Sequence, residues 1–139
     1  MKPWTQAAFL CGLALLPALP TAIFHPKKPA WTREALAPGE ITLDTALALP
    51  DRVWLDARKP GDYVAGHIPG ALPLNEDAWN NLLPAVALQF RPGQNLVIYC
   101  DSLECNTSHL VAERLRRELG AENVFILKGG WLTWQKNQP

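Results

Sequence analysis

The stretch NLVIYCDSLECNTSHLVAERLRREL, residues 95–119, decides the fold of this chain. Its first six residues are almost all apolar and end at Cys100, which is typical of a buried β-strand. Its last twelve residues, 108–119, repeat apolar side chains at helical spacing with charged side chains between them, and Gly120 follows. This pattern predicts an amphipathic helix that ends at the glycine. A buried strand that leads into an amphipathic helix indicates an α/β protein.

Short apolar runs bounded by Gly, Pro, Asn or Asp recur on both sides of this stretch. They predict further strands at residues 53–56, 71–74 and 124–127. Residues 43–49, LDTALAL, are predicted as a short apolar turn that stops at Pro50. Helices are predicted at residues 76–83 with a break or restart at Pro84, in the stretch 85–90 after that proline, and at residues 131–137. Runs that are apolar on both faces suit a parallel sheet covered by helices on each side. The sequence therefore predicts an α/β fold with a central, mostly parallel sheet of about five short strands flanked by helices.

The amino-terminal part has a different composition. Residues 7–24, AAFLCGLALLPALPTAIF, contain no charged side chain, and a basic, Pro-rich linker follows them. Eighteen residues reach about 27 Å as a helix, just enough to cross a hydrocarbon core. We expect residues 1–30 to form a hydrophobic helix and linker that precede a domain at 31–139, and the protein to be held in a membrane by this single span. The alternatives are an exported or periplasmic protein after signal cleavage, and a buried helical hairpin in a soluble domain.

Length and charge exclude two classes of function. The 139 residues fit one domain and a short appendage, which excludes a multidomain enzyme. Lys and Arg balance Asp and Glu in the whole chain, but residues 31–139 contain 10 basic and 13 acidic side chains. A domain with this net negative charge is not expected to bind nucleic acid.

Cys100 is the candidate nucleophile. It lies where the carboxyl end of a strand meets the amino terminus of a helix, and the unpaired backbone N–H groups there favour a thiolate over a thiol. A thiolate so placed can take sulfur or an acyl group. The alternative is an inert small residue at the end of a core strand.

Three segments resemble the signature segments of the rhodanese family, in order and in spacing. They are DARKPGDYVAGHIPGA (residues 56–71), VIYC (97–100) and NVFILKGGWLTW (123–134). The resemblance covers residues 40–137. It implies an α/β sulfurtransferase fold in which Cys100 carries a sulfane sulfur as a persulfide and passes it to a thiol or cyanide.

The first of these segments contains the family's Asp-x-Arg pair, Asp56 and Arg58, and its GHIPG turn, residues 66–70. Asp56 can accept backbone or guanidinium hydrogen bonds, and His67 is expected to pack with a ring nitrogen satisfied, so both are given structural roles. Arg58 has two interpretations. It pairs with the surroundings of Asp56, or it points toward an anion pocket beside Cys100 and contacts the substrate.

The loop after the cysteine departs from the family pattern, in which it is usually shorter and often basic. Here the active-site loop is assigned to Asp101, Ser102, Leu103, Glu104, Asn106, Thr107 and Ser108, together with Cys105, and none of these is basic. The two acids oppose ionisation of the thiol and repel a dianion. We therefore expect a neutral or protein-bound persulfide as the donor, with thiosulfate disfavoured. Thr107 and Ser108 are expected to cap the helix and line the pocket.

Cys105 has three interpretations. It resolves or relays the Cys100 persulfide, it forms a reversible disulfide with Cys100, or it is a small loop residue. Cys100, Cys105 and His109 also have a loose metal-ligand spacing, but we expect no metal site.

The sequence thus predicts a sulfurtransferase that acts through a Cys100 persulfide without a metal or an organic cofactor. Its expected partners are a small sulfur donor or a protein persulfide, a thiol acceptor, and a membrane through the amino-terminal segment, and the protein is expected to be a monomer. The alternative is a non-catalytic binding or redox-sensing module that uses a Cys100/Cys105 thiol–disulfide pair.

Overall fold

The computed structural model describes residues 36–101 and 106–138. Strands and helices alternate along this part of the chain. The strands are β1 (Glu40–Ile41), β2 (Arg52–Asp56), β3 (Leu72–Pro73), β4 (Asn95–Tyr99) and β5 (Val124–Leu127). The helices are α1 (Leu43–Ala48), α2 (Pro60–Ala65), α3 (Trp79–Gln89), α4 (Asn106–Leu119) and α5 (Gly130–Lys136).

The strands form one parallel sheet in the order β1-β5-β4-β2-β3, so β4 lies in the middle. In the register between β2 and β4, Leu55 lies beside Ile98 and Asp56 beside Tyr99. The residues that follow these two strands therefore leave the sheet side by side. In a parallel sheet this carboxyl edge is where ligand sites form.

The core lies on both faces of the sheet because successive side chains of a strand point to opposite faces. Leu96 and Ile98 of β4 belong to one cluster, which includes buried residues of α3 and α4. Val97 and Tyr99 belong to the other cluster, which includes buried residues of α1 and packs against Trp131 and Trp134 of α5. The predicted parallel sheet with helices on both sides is confirmed.

Three elements were not predicted. Helix α1 covers six residues of the stretch that was predicted as a short turn. Strand β1 is only two residues long and pairs with β5, so it is too short to show a periodic pattern. Helix α2 buries none of its six residues, and without an apolar face it has no periodicity to detect. Pro60 occupies its first turn, where the fixed φ of proline suits a helix start.

The prediction that Pro84 breaks the helix is wrong. Helix α3 runs through Pro84 as one element, and it begins at Trp79, later than the predicted residue 76. Proline removes one backbone donor, but Trp79 and Val86 are buried against the core and keep the helix together. Before the helix, Ala78 N–H donates to Asn75 Oδ1 at 2.9 Å, which holds residues 75–78 in a turn.

The prediction for residues 1–30, a hydrophobic anchor or signal with its linker, lies outside the described residues and stays a prediction, as does the boundary at 31. In residues 36–101 and 106–138, no helix is both long enough and apolar enough to cross a membrane.

Candidate functional site

Cys100 follows β4 directly and its backbone is held by the first turn of α5. Its carbonyl oxygen accepts a hydrogen bond from Trp131 N–H at 2.7 Å. Gly130, with φ +47°, passes so close that an added Cβ would lie 2.8 Å from the carbonyl carbon of Cys100 and overlap its oxygen. The segment KGGW (residues 128–131) therefore fixes the position from which the cysteine side chain enters the site.

Asp56, at the end of β2, is the centre of a buried hydrogen-bond network. Its carboxylate accepts from Arg58 Nη2 at 2.7 Å, from Arg58 Nε at 3.0 Å and from the Tyr99 hydroxyl at 2.7 Å. It also accepts from the backbone N–H of Arg58 at 2.9 Å. Asp56 is fully buried, and only this pairing makes a buried carboxylate tolerable.

The Arg58 guanidinium carbon lies over the ring of Trp131, 4.5 Å from its centroid. Its Nη2 also donates to the carbonyl of Gly66, and its Nη1 is 3.7 Å from the Asp101 carboxylate. Burial opposes the charged form, but the hydrogen bond and charge of Asp56 outweigh burial and raise the pKa of Arg58. Arg58 pairs with Asp56 and also borders the cavity described below, whereas its contact with a substrate stays a prediction.

Tyr99 ties the central strand to the GHIPG turn. Its hydroxyl oxygen accepts from the backbone N–H of Ile68 at 3.1 Å while its proton goes to Asp56. Burial, and then the hydrogen bond to Asp56, raise the pKa of Tyr99 far above its ordinary value. His67 stacks on Tyr63 with 4.0 Å between ring centroids, and its Nδ1 lies 3.0 Å from the Tyr63 carbonyl oxygen. Asp56 and His67 therefore have the structural roles predicted for them.

A cavity of about 210 Å³ opens beside Cys100 at the carboxyl edge of the sheet. It is lined by Ala57, Arg58, Lys59, Asn75, Glu76, Asp77, Cys100, Asp101 and Thr107. Polar groups dominate this lining, with two cationic and three carboxylate side chains. Cys100 is almost completely buried, at 4% exposure, yet it borders this polar space.

Sequence reasoning missed the cavity walls formed by Lys59 and by residues 75–77. These residues follow β2 and β3, whose carboxyl ends meet the end of β4 only in the observed strand order. Polar residues directly after a predicted strand were the available signal, because such positions lie at the ligand edge of a parallel sheet.

The predicted active-site loop ran to Ser108, but α4 already begins at Asn106, so the loop is shorter at its carboxyl-terminal end. Thr107 and Ser108, which were predicted to cap the helix and line the pocket, therefore lie within its first turn, after Asn106. The backbone N–H groups of the first helical turn have no partner within the helix. Thr107 lines the cavity, whereas Ser108 is buried and its Oγ has no hydrogen-bond partner among the described residues. Asn106 is exposed.

Ser102, Leu103, Glu104 and Cys105 lie outside the described residues, so the predicted amide cradle and the role of Cys105 stay predictions. Cys100 is disulfide-bonded in this structure, and no other cysteine belongs to the described residues. Within residues 36–101 and 106–138, no three His, Cys, Asp or Glu side chains come together in a way that could hold a metal ion.

The sequence model of the family described as "Rhodanese-like domain" matches residues 42–137. The chain belongs to the rhodanese-like family. This rhodanese-like domain is 29% identical over 90 residues to the tRNA uridine(34) hydroxylase of Photorhabdus laumondii, an alignment that covers 63% of this chain and 24% of that protein. The chain thus spans about a quarter of the length of this curated relative.

Solved structures show the same fold. The human single domain sulfurtransferase TSTD1 aligns with a TM-score of 0.53 at 21% identity, over 73% of this chain and 98% of that one. EanB, in a complex with ergothioneine covalently linked to a persulfide cysteine, aligns with a TM-score of 0.55 at 28% identity, over 70% of this chain and 26% of that one. The rhodanese-like fold predicted from the sequence is confirmed.

Proposed function

We propose that this protein is a sulfurtransferase that carries a sulfane sulfur as a Cys100 persulfide and passes it to a thiol. The observation that carries the proposal is the position of Cys100, at the end of the central strand and on the wall of a polar cavity of about 210 Å³. An inert core cysteine would be surrounded by hydrocarbon side chains on all sides. Family membership and the likeness to a protein with a persulfide cysteine support the proposal.

The proposed reaction has two displacements. The Cys100 thiolate attacks the terminal sulfur of a persulfide donor, the S–S bond of the donor breaks, and the donor leaves as a thiolate that takes up a proton. An acceptor thiolate then attacks the outer sulfur of the Cys100 persulfide and releases the Cys100 thiolate. Sulfur moves without net oxidation in either displacement. Because Cys100 is disulfide-bonded in this structure, a thiol must first reduce that bond.

The chain offers groups that stabilise charge on the bound sulfur. We assign this role to the backbone N–H groups of residues 101–108 and to the amino terminus of α4, whose first-turn residue Thr107 lines the cavity. Cys105 is proposed as the first acceptor of the sulfur. Arg58, held by Asp56 and Trp131, borders the same space.

Intact mass spectrometry tests the proposal. The full chain is reduced, freed of reductant and mixed with a small persulfide donor, and we expect a gain of one sulfur atom. Cys100→Ser should lose the gain. Cys105→Ser is the matched control, because it also removes one thiol from the same stretch of chain. In this variant Cys100 should still take up the sulfur atom. A gain of sulfur that persists in Cys100→Ser would refute the assignment.

The second candidate is a redox-sensing module, which the disulfide bond of Cys100 favours. The two candidates differ in turnover. With excess donor and acceptor thiol, a sulfurtransferase releases many sulfur equivalents per protein, whereas a redox module changes its count of free thiols without releasing sulfur. Release of sulfur beyond one equivalent excludes the module.

A further inference from the structure

We infer that Asp101 determines the specificity of the Cys100 site, because its carboxylate lies beside the one guanidinium nitrogen of Arg58 that does not bond Asp56 or Gly66, and thereby selects persulfides on a neutral or ammonium-bearing carrier over dianionic donors. This inference rests on the proposed sulfurtransferase function. According to this inference, Asp101 sets which substrate charge the site accepts, through its ion pair with Arg58.

Arg58 is a cation of the cavity lining whose side chain is held on several sides. Its side chain is 3% exposed. Asp56 accepts hydrogen bonds from its Nε and its Nη2, and the Gly66 carbonyl also accepts from Nη2. The guanidinium lies over the ring of Trp131. Its Nη1 is directed to Asp101, with 3.7 Å between Nη1 and the nearest carboxylate oxygen. An anionic substrate would need this nitrogen, because the other nitrogens of the guanidinium already donate to protein acceptors.

Asp101 is the exposed partner of this pair. It follows Cys100 directly in the chain, and its side chain is 62% exposed. The carboxylate therefore occupies the place beside Arg58 that an anionic donor would take. A bound anion must either displace it or lie against it, and like charges in contact disfavour binding.

The remaining charges of the cavity do not restore an anion site. Among the described residues of the lining, Lys59 is the other cationic side chain, and Glu76 and Asp77 add two more carboxylates. Among these described side chains carboxylates outnumber cations, and this balance favours an ammonium group over an anion. Thiosulfate is doubly disfavoured, because the group that leaves when Cys100 takes its outer sulfur is sulfite, which is also an anion.

Neutralising Asp101 should therefore create reactivity toward thiosulfate. The experiment measures the second-order rate of persulfide formation on reduced full-length protein, by quenching and intact mass. The three donors are thiosulfate, cysteamine persulfide, which carries an ammonium group, and 3-mercaptopropionate persulfide, which carries a carboxylate. The wild-type protein should react about tenfold faster with the cysteamine persulfide than with the carboxylate persulfide.

Asp101→Asn keeps the shape of the side chain and removes its charge. We expect its rate with thiosulfate to rise about tenfold, and its rate with cysteamine persulfide to stay level or fall. Asp77→Asn is the matched control, because it makes the same chemical change in the same lining away from the Arg58 ion pair. Its gain with thiosulfate should be less than half as large. The gain in Asp101→Asn should also shrink at high salt, since partly exposed charges are screened.

Two results would overturn the inference while leaving the proposed function in place. One is a wild-type protein that loads Cys100 from persulfides while Asp101→Asn gains less than twofold with thiosulfate. The other is an equal gain in Asp77→Asn, which would assign the effect to the net charge of the cavity. Failure of the wild-type protein to load Cys100 from any of the three donors would refute the proposed function itself, and the inference with it.

Discussion

Gly130 lies against the backbone of Cys100, and its neighbour Trp131 donates to the carbonyl of the same cysteine. An alanine there would combine a positive φ of +47° with a methyl group that overlaps a backbone carbonyl. We expect Gly130→Ala to lower the free energy of unfolding by about 3 kcal/mol, because the overlapping atoms belong to rigid backbone.

Urea unfolding of the two proteins at neutral pH measures this loss. Gly61→Ala is the control, because no atom lies within 4 Å of an added Cβ at Gly61 and the position is helical. That variant should be as stable as the wild-type protein or slightly more stable, since alanine favours helix over glycine. Equal midpoints for Gly130→Ala and the wild-type protein would contradict the close contact.

At the scale of elements, α3 and α4 are joined across their surfaces by one cluster. Trp79 Nε1 donates to Glu118 at 2.8 Å, and Arg114 lies over the Trp79 ring and bonds Glu118 at 3.1 Å. The hydrogen bond from Trp79, with the hydrogen bond and charge of Arg114, lowers the pKa of Glu118. The charged form of Glu118 therefore stabilises the folded state above the ordinary glutamate pKa of about 4.3, and this contribution is lost as the pH falls through the lowered value.

The cluster predicts a pH-dependent effect of Glu118→Gln. The wild-type protein should be the more stable one at pH 7, and the difference should vanish well below pH 4.3, where the wild-type carboxyl is also neutral. Denaturant unfolding of both proteins across this range measures it. Glu113→Gln, on the same helix but without the bond to Trp79, should show a smaller difference. A stability gap between wild type and Glu118→Gln that does not change with pH would show that charge is not its cause.

Whether an element could be predicted from the sequence depended on its length and on its buried face. The strands that became β2, β4 and β5 were predicted because each is a run of apolar residues bounded by turn residues. Strand β1 and helix α2 were missed because one is too short and the other has no buried face. Pro84 misled because tertiary packing of α3 outweighs the loss of one backbone donor.

At the scale of the whole molecule, the Asp56 network joins parts of the chain that are distant in sequence. It links β2 through Arg58 and Tyr99 to the central strand, the GHIPG turn and α5. Asp56→Asn would leave the Arg58 guanidinium buried without its main counter-charge. We expect a loss of about 3 kcal/mol in the free energy of unfolding, the usual cost of breaking a buried ion pair.

The matched control is Asp51→Asn. Asp51 also pairs with an arginine, Arg91, at 2.9 Å, but both side chains are more than half exposed. An exposed pair contributes about 0–1 kcal/mol, and asparagine tolerates the φ of +47° at this position. Urea unfolding should therefore separate the two variants clearly. If they lose equal stability, the buried network does not hold the fold together.

The site could be predicted from the sequence only where it is local. Cys100 was found because a strand end, a loop and a helix start follow each other in the chain. Lys59 and residues 75–77 were missed because they reach the cavity through the order of β4, β2 and β3. The ion pair of Arg58 with Asp101 depends on the same juxtaposition, since β2 and β4 are neighbours in the sheet.

The two outer strands of the sheet have a consequence for self-association. Strands β1 and β3 are each only two residues long, and β3 contains Pro73, which has no backbone donor. A strand from another chain that paired with either edge of the sheet would find few backbone N–H and C=O groups to bond. The short edges therefore oppose edge-to-edge pairing of this sheet with another chain into fibrils, even though the inner strands are rich in the β-branched and aromatic residues that favour it.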